Sequence, residues 1–114
     1  MQDYKQFKVW KKSHQVVLKV YKLTANFPSN EKYGLISQIQ RCAVSIPSNI
    51  AEGSARNSDA DFARFLHIAM GSAAELDYQL LLSHDLGFIE SASYHEVSQE
   101  LTIIRKMLNS FTQR

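Results

Sequence analysis

The sequence has few of the residues that interrupt regular structure. Two prolines, four glycines and one cysteine are spread over 114 residues. The lone Cys42 excludes an intrachain disulfide and fits a reducing compartment, so a cytoplasmic location is expected. It also excludes zinc sites built on several thiolates. No apolar run approaches the roughly 18 residues that span a bilayer, so no membrane partner is expected. The N-terminal MQDYKQFKVWKK lacks the apolar core of a secretion signal. No glycine-rich phosphate loop and no Gly-x-Ser-x-Gly turn is present. No Glu precedes His14, His67, His84 or His95 by three residues, so the signature of carboxylate-bridged di-iron bundles is missing. Serine, histidine and aspartate all occur, but nothing in their order marks a triad. Together these absences point away from an enzyme, and no cofactor is expected.

What is present is helical periodicity over one domain, residues 1–114. Hydrophobic residues make up 45% and charged residues 21%, a balance that excludes disorder. The central stretch is RCAVSIPSNIAEGSAR, Arg41 to Arg56. Ile36, Ile39, Ala43, Ile46 and Ile50 recur at steps of three and four, an apolar stripe of one helix. Gln38, Arg41, Ser45, Ser48 and Glu52 repeat the same steps on another face. Pro47 falls inside this pattern. A proline costs roughly 3 kcal/mol in a helix interior, so the helix either stops near Ile46 or continues with a kink. The unbroken stripe favours the kink. Ser45, Ser48 and Asn49 are placed to satisfy the freed carbonyl, and Gly53 suits a helix terminus.

Three further helices are predicted. The first runs from about Phe7 to Asn26. Val9, Val16, Val20 and Leu23 form one apolar line, and Trp10, Val17, Tyr21 and Thr24 a second beside it. Lys5, Lys8, Lys12, Gln15, Lys19 and Lys22 form a basic row on the opposite side. The third helix opens at Ser58, which resembles a capping box with Asp61, and reaches about Asp85. Phe62, Leu66, Ala69, Ala73, Leu76 and Leu80 are its stripe, with Phe65, Ile68 and Leu82 broadening it. Gly71 in its middle predicts close approach by a neighbouring helix. Gly87 is the expected cap of this helix. A capping box of Ser93 and Glu96 opens the fourth helix, whose stripe is Val97, Leu101, Ile104, Leu108 and Phe111. Glu100, Arg105 and Gln113 are expected to face water.

Short breaks between four helices predict an all-α, antiparallel up-down-up-down bundle with left-handed crossing near +20°. The second apolar lines on helices one and three exceed what a single subunit buries, which predicts a homo-oligomer. Charge is divided unevenly. Residues 1–56 carry nine cations against three carboxylates, a net +6; residues 57–114 carry four against eight, a net −4. That division suits either an anionic partner for the first half or attraction between the halves.

The segments FKVWKK, NFP, EKYGL, QIQRCAVSIPSNIAEGSAR and FARFLHIAMGSAAELDYQLLLSHDLGFI resemble the four-helix-bundle proteins of the large-subunit (23S) rRNA intervening-sequence family. The resemblance spans nearly the whole chain. Its most specific parts are SIPSNIAEG, Ser45 to Gly53, and GSAAEL. It implies a ring-like homopentamer, and members of the family are often encoded within intervening sequences of ribosomal RNA genes. A related group, the accessory proteins of diversity-generating retroelements, forms basic pentameric barrels that bind nucleic acid and a reverse transcriptase.

Gln38, Arg41, Ser45, Asn49 and Glu52 match the family motif. They read either as a ligand or partner surface, or as an internal hydrogen-bonded network completed by Glu75 of helix three. The row Lys5, Lys8, Lys12, Lys19 and Lys22 reads either as a solvated face or as a phosphate-facing stripe. The leading expectation is a non-catalytic oligomeric module that binds RNA or DNA through helix one. The alternatives are a scaffold that recruits another protein, and a small-molecule or metal site in the opening of the ring.

Overall fold

The computed structural model describes residues 3–113. Among them are four α-helices and no strand: α1 (Lys8–Thr24), α2 (Leu35–Ser54), α3 (Asp59–Asp85) and α4 (Ser91–Thr112). Short 3-10 turns at Tyr4–Gln6 and Ser29–Glu31 precede α1 and α2. Each helix packs on its chain neighbours, and α1 also packs on α4. The diagonal pairs α1–α3 and α2–α4 have no Cα atoms within 8 Å of one another. Four helices that each touch two others enclose one core.

That core is built from the predicted stripes. Val16 and Val20 of α1, Ile39, Ala43, Ile46 and Ile50 of α2, and Ala69, Ala73, Leu76 and Leu80 of α3 are wholly buried. So are Leu101, Ile104 and Leu108 of α4. Each large member contributes about 1.5–3 kcal/mol relative to exposure. Phe7, Phe62 and Phe111 form an aromatic plug with ring centroids 5.2–6.1 Å apart. Phe27 and Phe88, 5.3 Å apart, make a second.

Helix α2 runs without interruption through Pro47, which is itself buried. Asn49 does not serve the carbonyl that proline frees. Its Nδ2 donates instead to the Ser45 carbonyl at 2.7 Å and to Ser45 Oγ at 3.0 Å.

Several local expectations need correction. Gly53 lies in the last turn of α2, which ends at Ser54, but Ala55 and not the glycine takes the cap. The glycine is buried, and a Cβ there would stand 2.8 Å from the Cβ of Phe65. The close approach expected at Gly71 is not made among the described residues, because a Cβ there would meet nothing within 4 Å. The fourth helix begins at Ser91 with Glu90 at the cap, so Ser93 and Glu96 already lie inside it and form no capping box. Glu100 does not face water, because it is paired with Lys19 of α1. By contrast, Ser58 accepts from the Asp61 amide at 3.1 Å. Gly87 follows α3 with φ +83°, a conformation that only glycine adopts cheaply.

Candidate nucleic-acid interface

The basic row divides into three parts. Lys5 lies outside α1, in the preceding 3-10 turn, with its amide capped by Asp3 at 3.0 Å and its ammonium 5.9 Å from the Tyr4 ring centre. Lys8 and Lys12 occupy the first turns of α1. Lys8 lines a groove together with Asp3, Phe7 and Met107 and with Lys106 of α4. Lys19 is engaged within the bundle. Its ammonium bonds Glu96 at 2.9 Å and also Glu100, and those bonds hold it above the usual lysine range. Lys22 is exposed, beside a cleft that Glu96 and Ser93 also line. Lys19, toward the far end of the row, is therefore neutralised by α4, and Lys5, Lys8 and Lys12 cluster around the start of α1.

The polar face of α2 also divides. Ser45 Oγ lies 2.8 Å from Ser72 Oγ of α3, and Asn49 bonds back to Ser45. Cys42 Sγ donates to the Ser72 carbonyl at 3.1 Å and contacts Glu75 Oε1 at 3.6 Å. Burial, reinforced by the Glu75 carboxylate, pushes the Cys42 thiol up to about 12. Glu52 pairs with Arg56 one turn on, at 3.0 Å. Gln38 and Arg41 are exposed, and Arg41 lines a groove toward α1. The α2–α3 seam thus joins Ser45, Asn49 and Glu75, while Gln38, Arg41 and Glu52 point elsewhere. Sequence reasoning missed Cys42 and Ser72 as members of this seam. GSAAEL, singled out for its similarity, contains Ser72.

The structure also brings together a serine, a histidine and an aspartate that the sequence left unordered. His84 Nε2 lies 2.8 Å from Ser91 Oγ, and Nδ1 lies 3.1 Å from Asp85 Oδ1. The order of partners is that of a hydrolytic triad. The surroundings are not, because Ser91 is exposed and the Asp85 side chain is 65% exposed. Water screens such a pair, and no low-dielectric environment strengthens it. The contact ties the end of α3 to the start of α4 across the Gly87 turn.

Among the described residues no helix is long and apolar enough to cross a membrane, and no group of three or more His, Cys, Asp or Glu residues is placed to hold a metal. The profile of the 23S rRNA-intervening sequence protein family matches residues 5–110. The chain belongs to this family. It is also similar to a crystal structure described as a protein with unknown function from the S23 ribosomal protein family of Bacteroides thetaiotaomicron. The TM-score is 0.85 at 30% identity, over 93% of this chain and 96% of that one. No curated protein matches. The SIPSNIAEG and GSAAEL segments of this family member are the two sides of the α2–α3 seam, meeting at Ser45 and Ser72.

Proposed function

We propose that this family member is a non-catalytic, homo-oligomeric module that holds RNA or DNA against α1. The observation that carries the reading is the placement of Lys8 and Lys12 on the first turns of α1, with Lys106 of α4 across the groove from Lys8. Lys22 extends the contact along the helix, and Lys5 adds a cation just before it. Lys19 has a structural role in this reading, since its two glutamate partners satisfy it. Phosphates displace their counterions on meeting these lysines, so affinity falls with salt by a slope of about 0.9 per contact on duplex.

Self-association rests on α3. Ile68 is 43% and Tyr78 61% exposed, and the helix surface at Gly71 is open. Exposed apolar side chains around an open backbone suit a second copy of the chain. The homopentamer implied by the resemblance, the kinship with retroelement accessory proteins and a cytoplasmic location belong to this proposal. An up-down-up-down bundle, left-handed and kinked at Pro47, is the matching architecture. It is supported by the reversed order of the α2–α3 contacts, from Gly53–Phe65 through Ser45–Ser72 to Cys42–Glu75, and by heptad-like stripes.

Fluorescence polarisation with a structured RNA at two salt concentrations is the test. Binding is expected at low salt, with loss of most affinity when Lys8, Lys12 and Lys22 are changed to glutamate. Absence of binding by the parent protein at low salt defeats the reading. A scaffold that recruits another protein is the second reading, favoured by the exposed Ile68 and Tyr78. A single protein partner that co-purifies after nuclease treatment would select it.

A further inference from the structure

The flank of α1 that faces α2 differs from the lysine row. Trp10, His14, Val17 and Tyr21 follow at steps of four, three and four. They floor a groove, and Trp10 and Val17 also pack against the edge of the core. One stretch, about 230 Å³, is lined by Tyr4, Trp10, His14, Val17 and Pro47 among others. The next, about 750 Å³, is lined by Tyr21, Lys32, Tyr33, Ile36 and Arg41 among others. Val44 lines both, so the two stretches join, and neither is lined by an Asp or a Glu. Along α2 the groove extends from Ile36 to Ala51, about 22 Å at the helical rise.

Tyr33 and Tyr21 are held open rather than packed away. Tyr33 is 90% exposed, and the Lys32 ammonium lies 5.5 Å from its ring centre. Tyr21 is 45% exposed. Trp10 stacks on His14 with centroids 5.2 Å apart and planes 8° apart, and Tyr4 meets Trp10 edge-on.

We propose that this groove binds single-stranded nucleic acid, with bases stacked on Tyr33 and Tyr21 and phosphates met by Lys32 and Arg41. The proposal rests on the nucleic-acid reading above and places the bases on a separate flank of α1. The charge argument is direct: two cations from different elements and no carboxylate make a positive channel for a polyanion. The aromatic argument narrows the class. Every base offers a flat face to tyrosine, but only an unpaired base presents that face to a side chain. A lysine on one side of the Tyr33 ring leaves the other side for a base.

Trp10 is the only tryptophan, and it lies in the adjoining stretch of the groove, so it reports a strand that continues past Val44. Titration with unlabelled oligouridylate at low salt is expected to quench it. Anisotropy with labelled oligouridylate and with a fully paired RNA duplex gives the affinities. Tyr33→Ala and Tyr21→Ala should each weaken the single strand about tenfold and leave the duplex unchanged, while Tyr33→Phe restores binding. The groove proposal falls if both alanine variants bind oligouridylate within twofold of the parent, although the lysine reading then survives. It falls equally if those variants change the subunit number by light scattering, because a second copy then fills the groove. If the parent binds neither RNA at low salt, both readings fail together.

Discussion

At Gly53 a Cβ would lie 2.8 Å from the Cβ of Phe65 and 2.9 Å from Cδ1 of Phe62; at Gly71 it would meet nothing within 4 Å. The two glycines sit on adjacent helices, and both cost helix stability relative to alanine. The first is compensated inside the subunit, since its missing side chain lets α2 and α3 close on the aromatic plug. The second is compensated by nothing among the described residues, and its neighbours Ile68 and Ser72 are at least partly exposed. One position belongs to the fold. The other belongs to whatever the surface meets.

Substitution separates the two, most strongly at the first. Gly53→Val should destabilise by about 1–3 kcal/mol, because the atom it strikes on Phe65 is fixed to the backbone. Urea denaturation at fixed protein concentration measures it, and an unchanged midpoint would erase the contrast. Gly71→Ala should instead stabilise by about 1 kcal/mol, the ordinary helix preference. Gly71→Arg should lower the subunit number by light scattering while the circular dichroism stays helical. A subunit number that does not change would remove α3 from the interface. The smallest effect concerns Cys42, on the seam between them. Its folded thiol stays protonated up to about 12, against 9.0 for the ordinary group. Above pH 9 the unfolded chain ionises and the folded one does not, so this group's contribution to stability falls as pH rises through that window. Below pH 9 it is constant. Disulfide-exchange labelling of Cys42 at pH 8 should be slow in the folded protein and fast in denaturant.

The core was legible because its signal repeats. Ile39, Ala43, Ile46 and Ile50 keep one period for several turns, and no other arrangement hides them all. The polar residues carried no such redundancy. Lys19 looks like its neighbours Lys12 and Lys22 in the sequence, and only the packing of α4 on α1 brings Glu96 and Glu100 to it. The same holds for His84 and Ser91, which meet because Gly87 turns the chain. Ser93 and Glu96 had the right spacing for a cap, yet α4 starts at Ser91, before them. Local chemistry allowed both starts, and Gly87 ends α3 early enough for the first. Trp10, Val17 and Tyr21 form a second apolar line in the sequence, which predicts a subunit interface; periodicity reports which residues share a face and not what that face touches.

The seam between α1 and α4, with Lys19 held by Glu96 and Glu100, is the one helix pairing that joins the two ends of the chain. The other pairings link consecutive helices across short turns and close quickly, as low contact order allows. Joining the ends encloses the longest loop and carries the largest closure entropy. Folding should therefore finish there, and opening should start there. Hydrogen exchange would find the amides of α1 and α4 released before those of α2 and α3.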